Sequence, residues 1–210
     1  MKDIRKKKIF QFKVTLNGSV PKIWRRIQVL AGYTFFDLHV AIQDAMGWTD
    51  SHLHGFRIAQ KGSTHPIIIQ YPNPEEDFGF GDKECDERKE YIVDYFDKIT
   101  KQCVYEYDFG DGWNHTVLFE KELFSETQTT YPRCIAGKNA CPPEDCGGLG
   151  GYEDLQNVLK NPKHPEYKDM IDWLCIENAD EFDPRVFDPK EVDFSDPRSV
   201  LKEYKHRFGM

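Results

Sequence analysis

Ile9-Phe10-Gln11-Phe12-Lys13-Val14-Thr15-Leu16, then Asn17-Gly18, then Ile23-Trp24-Arg25-Arg26-Ile27-Gln28-Val29-Leu30 is the first clearly patterned stretch of the chain. Phe10, Phe12, Val14 and Leu16 alternate with Gln11, Lys13 and Thr15, the period of a strand with one buried face. Asn-Gly tolerates the positive φ of hairpin turns, so the two runs predict an opening hairpin whose connection is lengthened by residues 19–22. Arg25 and Arg26 put one cation on each face of the second strand, and one of them is expected to meet a carboxylate.

Downstream, Thr34 followed three residues later by Asp37 has the form of a helix N-cap. Phe35, Leu38, Ile42, Ala45 and Met46 then recur at helical spacing as far as Gly47. His52-Leu53-His54-Gly55-Phe56-Arg57-Ile58 alternates again and predicts a third strand with His52 and His54 on one face. A helix must bury its apolar stripe, and the sheet beside it is the nearest surface. Strand, strand, helix, strand therefore predicts an α+β fold with a mixed or antiparallel sheet and a β-grasp-like opening.

Pro66 to Tyr71 reads as a short apolar strand, and Pro72 to Glu90 as an acidic, mobile loop. A second hairpin follows: Cys103 to Phe109 and Trp113 to Glu120 flank Asp111-Gly112, the strongest short hairpin signal in the chain. With Asp111 and Gly112 as central turn residues, Asp108 would face His115, and that carboxylate would raise the pKa of the imidazole.

In the last third, Gly147-Gly148-Leu149-Gly150-Gly151 reads as a tight connection before an amphipathic run from Tyr152 to Leu159, and a further helical segment covers Tyr167 to Ile176. The dipeptides Asp183-Pro184, Asp188-Pro189 and Asp196-Pro197 each place a capping Asp before a Pro suited to the first helical position. The expected organisation is a basic tail over residues 1–8 and one α+β domain over 9–210, helical from about 152. Trp24, Trp48, Trp113 and Trp173 are expected as buried anchors.

The 210 residues carry 28 Lys+Arg against 36 Asp+Glu, a formal charge of −8. That balance disfavours a general nucleic-acid binder and leaves the Lys2 to Lys8 tail as the place where nucleic acid could be held. No apolar run is long enough for a membrane helix and no signal-peptide core follows Met1, so the expectation is a soluble, cytoplasmic chain without membrane association. At 39% apolar and 14% aromatic residues there is enough material for a core.

Two constellations could carry chemistry. His52, His54, Asp108 and His115 would converge as ligands for zinc or another divalent metal if their strands are neighbours in the sheet. Cys134, Cys141 and Cys146 lie within thirteen positions and could hold a soft metal, although none of their gaps is the Cys-x2-Cys knuckle. The Gly-rich run lacks a P-loop ending, and Glu144, Asp145, Glu153 and Asp154 around it would repel phosphate. No Gly-x-Ser-x-Gly elbow is present.

Several co-linear motifs carry a resemblance: Pro21-Lys22-Ile23-Trp24-Arg25-Arg26-Ile27, Phe36-Asp37-Leu38-His39, Ala45-Met46-Gly47-Trp48-Thr49-Asp50-Ser51-His52-Leu53-His54-Gly55-Phe56, Tyr107-Asp108-Phe109-Gly110-Asp111-Gly112-Trp113-Asn114-His115, and Ala140-Cys141-Pro142-Pro143-Glu144-Asp145-Cys146-Gly147-Gly148 through Tyr152. Over roughly residues 9–189 the chain resembles the plasmid ORF-three-like family, named after an open reading frame of a root-inducing plasmid. The family has no assigned activity, and it is similar to passenger proteins of insertion sequences. The resemblance implies a single α+β domain and an association with mobile elements, and it supplies no recombinase signature.

Without a complete catalytic set, the expectation is a binding or accessory module that meets a protein partner through Asp108, Asp111, Trp113 and His115. The alternative is a metal-dependent hydrolase in which His52, His54, Asp108 and His115 hold an ion that lowers the pKa of a bound water toward ~7.

Overall fold

Lys8–Leu16 (β1) pairs antiparallel with Trp24–Leu30 (β2), as the alternation predicts. The computed structural model describes residues 8–72, 83–96 and 100–207. His54–Ile58 (β3), Ile67–Gln70 (β4), Lys83–Asp86 (β5), Gln102–Tyr107 (β6), Trp113–Phe124 (β7) and Arg133–Lys138 (β8) complete the sheet. Its order is β5-β4-β3-β6-β7-β1-β2-β8, antiparallel at every pairing except β4 with β5. The fold is α+β.

Between β2 and β3 runs Phe35–Met46 (α1), which starts and stops where its caps dictate. Asp37 N donates to Thr34 Oγ1 (3.2 Å) and Thr34 N donates to Asp37 Oδ2 (2.9 Å), while Gly47 closes the helix in the left-handed region. The helix buries Phe35, Leu38, Ile42 and Ala45 in the main core. There Phe35 meets Phe56 (ring centroids 5.0 Å), Phe12 meets Phe96 (4.9 Å) and Phe10 meets Phe119 (4.7 Å). Edge and tilted contacts of this kind add to plain area burial.

The two cations of β2 divide their work. Arg26 takes the expected carboxylate, with Nε and Nη2 on Glu120 at 2.7 and 2.8 Å. Arg25, 1% exposed, meets backbone carbonyls: Nε donates to Ala45 O at the end of α1, and Nη1 to Trp24, Lys138 and Asn139 O. Its guanidinium lies 3.5 Å from the Phe187 ring centroid, and that ring rests on Gly137, where a Cβ would sit 2.2 Å from it. Burial lowers the Arg25 pKa, and the carbonyl cage is what holds the cation inside.

Several expectations need correction. Gln11, expected on the wet face of β1, is buried, because Gln28 and Glu120 satisfy its amide. β5 lies inside the stretch read as a loop; residues 73–82 of that stretch, like tail residues 1–7, are outside the described residues. β8 was not expected, and it places Cys134 on a strand instead of in the cysteine loop. Trp173 is 45% exposed.

Three helices follow the sheet: Gly148–Leu159 (α2), Tyr167–Leu174 (α3) and Pro197–Arg207 (α4). α2 starts four residues earlier than its apolar pattern, inside the Gly-rich run. Asp196 and Asp188 cap as expected, accepting from Arg198 N (3.1 Å) and Lys190 N (2.9 Å), the latter at the short 3-10 helix Pro189–Glu191. Asp183 instead forms a turn closed by Arg185. Among the described residues no helix is long and apolar enough to cross a membrane.

Candidate functional site

The tip of the β6–β7 hairpin is wider than a two-residue turn. Tyr107 pairs with Trp113 and Tyr105 with His115, so residues 108–112 form a five-residue connection closed by Gly112 N on Asp108 O at 2.7 Å. Asp108 (φ +54°) and Gly112 (φ +66°) both turn the chain through the left-handed region, which Asp enters more readily than most side chains. Asp108 therefore does not face His115. Its Oδ1 accepts from Gly110 N (2.9 Å) and Asp111 N (3.3 Å), which fixes the carboxylate and leaves Oδ2 toward His52, 3.8 Å from its Nε2.

Three segments far apart in sequence are stitched together at this tip. Asp108 N donates to Leu53 O (2.9 Å), tying residues 48–53 to the hairpin. Thr49 N and Oγ1 donate to Glu144 Oε2 at 2.8 and 2.6 Å, the Tyr107 hydroxyl donates to Glu144 Oε1, and Trp48 Nε1 donates to Pro142 O (2.9 Å). Gly147 N donates to Asp111 Oδ2 (3.2 Å) just ahead of α2, so that helix N-terminus already faces a carboxylate of the chain itself. Gly148 (φ +68°) is needed there, since a Cβ would lie 2.5 Å from Asp111 O.

His52 sits in the loop before β3, at the centre of this junction. Its Nε2 lies 2.8 Å from Asp145 Oδ1 and 3.8 Å from Asp108 Oδ2, and one ligand atom from each of the three residues falls within 4.8 Å of the others. Nε2 is shut off from solvent yet has no aligned hydrogen-bond partner. Asp145, like Asp108, is left-handed (φ +60°). Asp145 was missed as a site residue because its approach to His52 spans 93 positions; the signal was the Pro142-Pro143-Glu144-Asp145 turn.

His54, the first residue of β3, goes elsewhere. It stacks on His39 of α1 with ring centroids 3.3 Å apart and planes within 1°, and its Nε2 meets Glu87 Oε2 at 2.8 Å. His39 Nδ1 meets the Tyr105 hydroxyl (2.8 Å) and its Nε2 meets Asp50 Oδ1 (2.9 Å), which also accepts from Tyr204 Oη of α4 (2.7 Å). His39, Asp50 and His54 bring ligand atoms within 4.8 Å, but the in-plane lone pairs of parallel rings cannot converge on one ion. This buried cluster is a hydrogen-bond and ion-pair network.

His115 is fully buried under Trp48 and beside Tyr105. Neither ring nitrogen has an aligned partner, and burial pushes its pKa down to about 4, with the nearby Tyr105 and Trp113 backbone offsetting part of the effect. The expected rise through Asp108 is reversed. Of His52, His54, Asp108 and His115, the structure brings together His52 and Asp108 alone. Trp113 is a core residue, 1% exposed, while Asp111 stays at the surface.

The cysteines are free thiols, and Cys134, Cys141 and Cys146 join no cluster of ligand atoms among the described residues. Burial raises all three: Cys141 strongly, Cys146 to about 12 with Asp111 adding to it, and Cys134 less. Such thiols hold their protons at neutral pH, the opposite of what a nucleophile or a ready ligand requires.

The chain matches the family model described as Plasmid pRiA4b ORF-3-like protein over residues 8–191. It is similar to the Uncharacterized protein y4hQ of Sinorhizobium fredii (strain NBRC 101917 / NGR234), 34% identical over 172 residues, which cover 82% of this chain and 84% of that one. It is also similar to the crystal structure of a Protein of Unknown Function, MM3350, from Methanosarcina mazei Go1. That match has 42% identity and a TM-score of 0.78 over 90% of this chain and 99% of the other.

Proposed function

The chain belongs to the plasmid pRiA4b ORF-3-like family, and from that premise we propose that it is a binding module whose recognition surface is the junction of residues 48–53, 108–112 and 141–147. The observation that carries the reading is the exposure of Leu53 (44%) and Phe109 (43%), two large apolar side chains on segments joined by a backbone hydrogen bond, beside the carboxylates of Asp111, Glu144 and Asp145. Neighbouring apolar side chains held in the open on a braced turn, rimmed by polar groups, make the kind of patch that interfaces use. The carboxylates select a partner segment that presents a basic residue next to an apolar one.

Placement of a photo-crosslinking amino acid at Phe109 tests this. A specific adduct is expected, lost with Leu53→Ser and absent when the same group replaces exposed Trp173 on α3. Equal labelling from both positions, or none from 109, overturns the reading. Phe109 is the informative position because truncating the buried Trp113 would disturb the core itself.

A further inference from the structure

We infer that His52, Asp108 and Asp145 form a binding site for a first-row divalent transition ion, such as zinc or cobalt. Ligands about 2.1 Å from one ion with tetrahedral angles lie roughly 3.4 Å apart, and the Nε2 contacts of 2.8 Å to Asp145 Oδ1 and 3.8 Å to Asp108 Oδ2 bracket that spacing. The donor set is one imidazole nitrogen and two carboxylate oxygens, which zinc and its neighbours accept and which magnesium or calcium, preferring oxygen alone, do not favour.

Two further observations point the same way. The first is the His52 nitrogen, buried from water, flanked by two carboxylates and aligned with neither as a hydrogen-bond donor. A cation seated between this nitrogen and the two carboxylate oxygens balances the negative charge of Asp108 and Asp145. The second is the bracing of Asp108. Its Oδ1 is committed to two backbone N–H groups of the turn, so Oδ2 is held toward His52 without the freedom to swing away, which is the support that metal-ligating carboxylates have. No Lys or Arg ion pair reaches Asp108 or Asp145 among the described residues. Asp145 is 65% exposed and gives the ion an approach from solvent, and water would complete the coordination.

The site does not rest on the partner reading, because it is measured on the free chain. Untagged protein, stripped with chelator and titrated calorimetrically with Zn2+ and in parallel with Co2+, is expected to take up about one ion per chain. Asp145→Asn keeps a residue that tolerates the left-handed backbone and removes one charged ligand; His52→Gln removes the nitrogen. Each is expected to weaken binding at least about tenfold with an unchanged circular dichroism spectrum, whereas Cys141→Ser and Cys146→Ser leave it intact, and excess Mg2+ does not displace the ion. Uptake below a tenth of an ion per chain, or loss of binding that follows the cysteine variants and not His52 and Asp145, overturns the site and leaves the three residues as a plain ion-pair cluster. Crosslinking at position 109 in the presence of chelator reads the partner surface separately.

Discussion

The imidazoles of His39 and His54 lie face to face in the core, with ring centroids 3.3 Å apart and planes within 1° of parallel. Two imidazolium ions cannot share that space, and the surroundings decide which ring carries charge. For His54, burial pulls the pKa down but the Glu87 carboxylate outweighs it, so the net shift is upward; for His39, burial and the neighbouring His54 charge prevail over Asp50, and the shift is downward. Asp50, pushed up by burial, is brought down to about 2 by His39, His54 and Tyr204.

Stability should therefore depend on pH through Glu87. A base whose folded pKa is raised stabilises the fold fully below its unfolded pKa of about 6.5, and that contribution is lost as pH rises through the folded value. His39 acts oppositely: it favours the fold above about 6.5 and costs stability as pH falls below it. Glu87→Gln removes the first effect and keeps the second. Urea denaturation should show the variant less stable than wild type by about 3–5 kcal/mol near pH 5.5, with the gap narrowing as pH rises past the folded pKa of His54. A gap that is constant with pH, or one that widens toward pH 8.5, contradicts this assignment of the charge.

Arg25 gives a second prediction. Its guanidinium serves four carbonyls contributed by α1, β2, β8 and Asn139, so it joins the helix to the sheet edge. Arg25→Met preserves length and packing against Phe187 but leaves those carbonyls unserved inside the fold, and each orphaned polar group costs about 1–3 kcal/mol. The urea midpoint should fall by an amount equivalent to about 3 kcal/mol or more. Arg25→Lys should rescue only part of it, because an ammonium on a single stem cannot reproduce the planar fork. Full rescue by Lys would show that charge, not fork geometry, is what matters.

The sequence pattern was most informative where one local interaction fixed an element. The alternation of β1, and the pair Thr34 and Asp37 with Gly47 at the far end of α1, are each settled within a few residues. It failed where long-range partners chose. β8 has only six residues and a penultimate Gly137 that gives way to the Phe187 ring, so its identity depends on pairing with β2. The hairpin register slipped by three positions in the sum of paired residues because Asp108 itself took the left-handed conformation and widened the turn. At the candidate site His52 and Asp108 were identified together. Asp145, and the withdrawal of His54 to His39 and Glu87, required the fold.

The thiols offer a third check. Cys175 is exposed at the left-handed end of α3, whereas Cys103 and Cys141 are raised strongly by burial. Reaction with a thiol reagent at pH 8 should label Cys175 first and half-buried Cys141 later, and buried Cys103 should react only as fast as the protein opens. Mass spectrometry of the first labelled product identifies the position. Early modification of Cys141 would mean that the 141–147 loop opens independently of the core.

The last prediction compares two neighbouring glycines of α2. Nothing lies within 4 Å of the place a Cβ would take on Gly150, and the position is exposed and helical, so Gly150→Ala removes only backbone freedom from the unfolded chain. It should stabilise the protein by roughly 0.5–1 kcal/mol. At Gly151 a Cβ would stand 1.7 Å from the carbonyl oxygen of Cys146, a backbone atom that cannot rotate aside. Gly151→Ala must move either α2 or the 141–147 loop, at a cost of about 1–3 kcal/mol. Because that loop carries Glu144 and Asp145, the displacement should also reduce zinc uptake and crosslinking from position 109, while Gly150→Ala leaves both unchanged. The two variants differ by one position and one methyl group each, so helix propensity alone predicts the same small gain for both. A stable Gly151→Ala protein with full zinc uptake would show that the close approach of α2 to Cys146 is not what holds the site together.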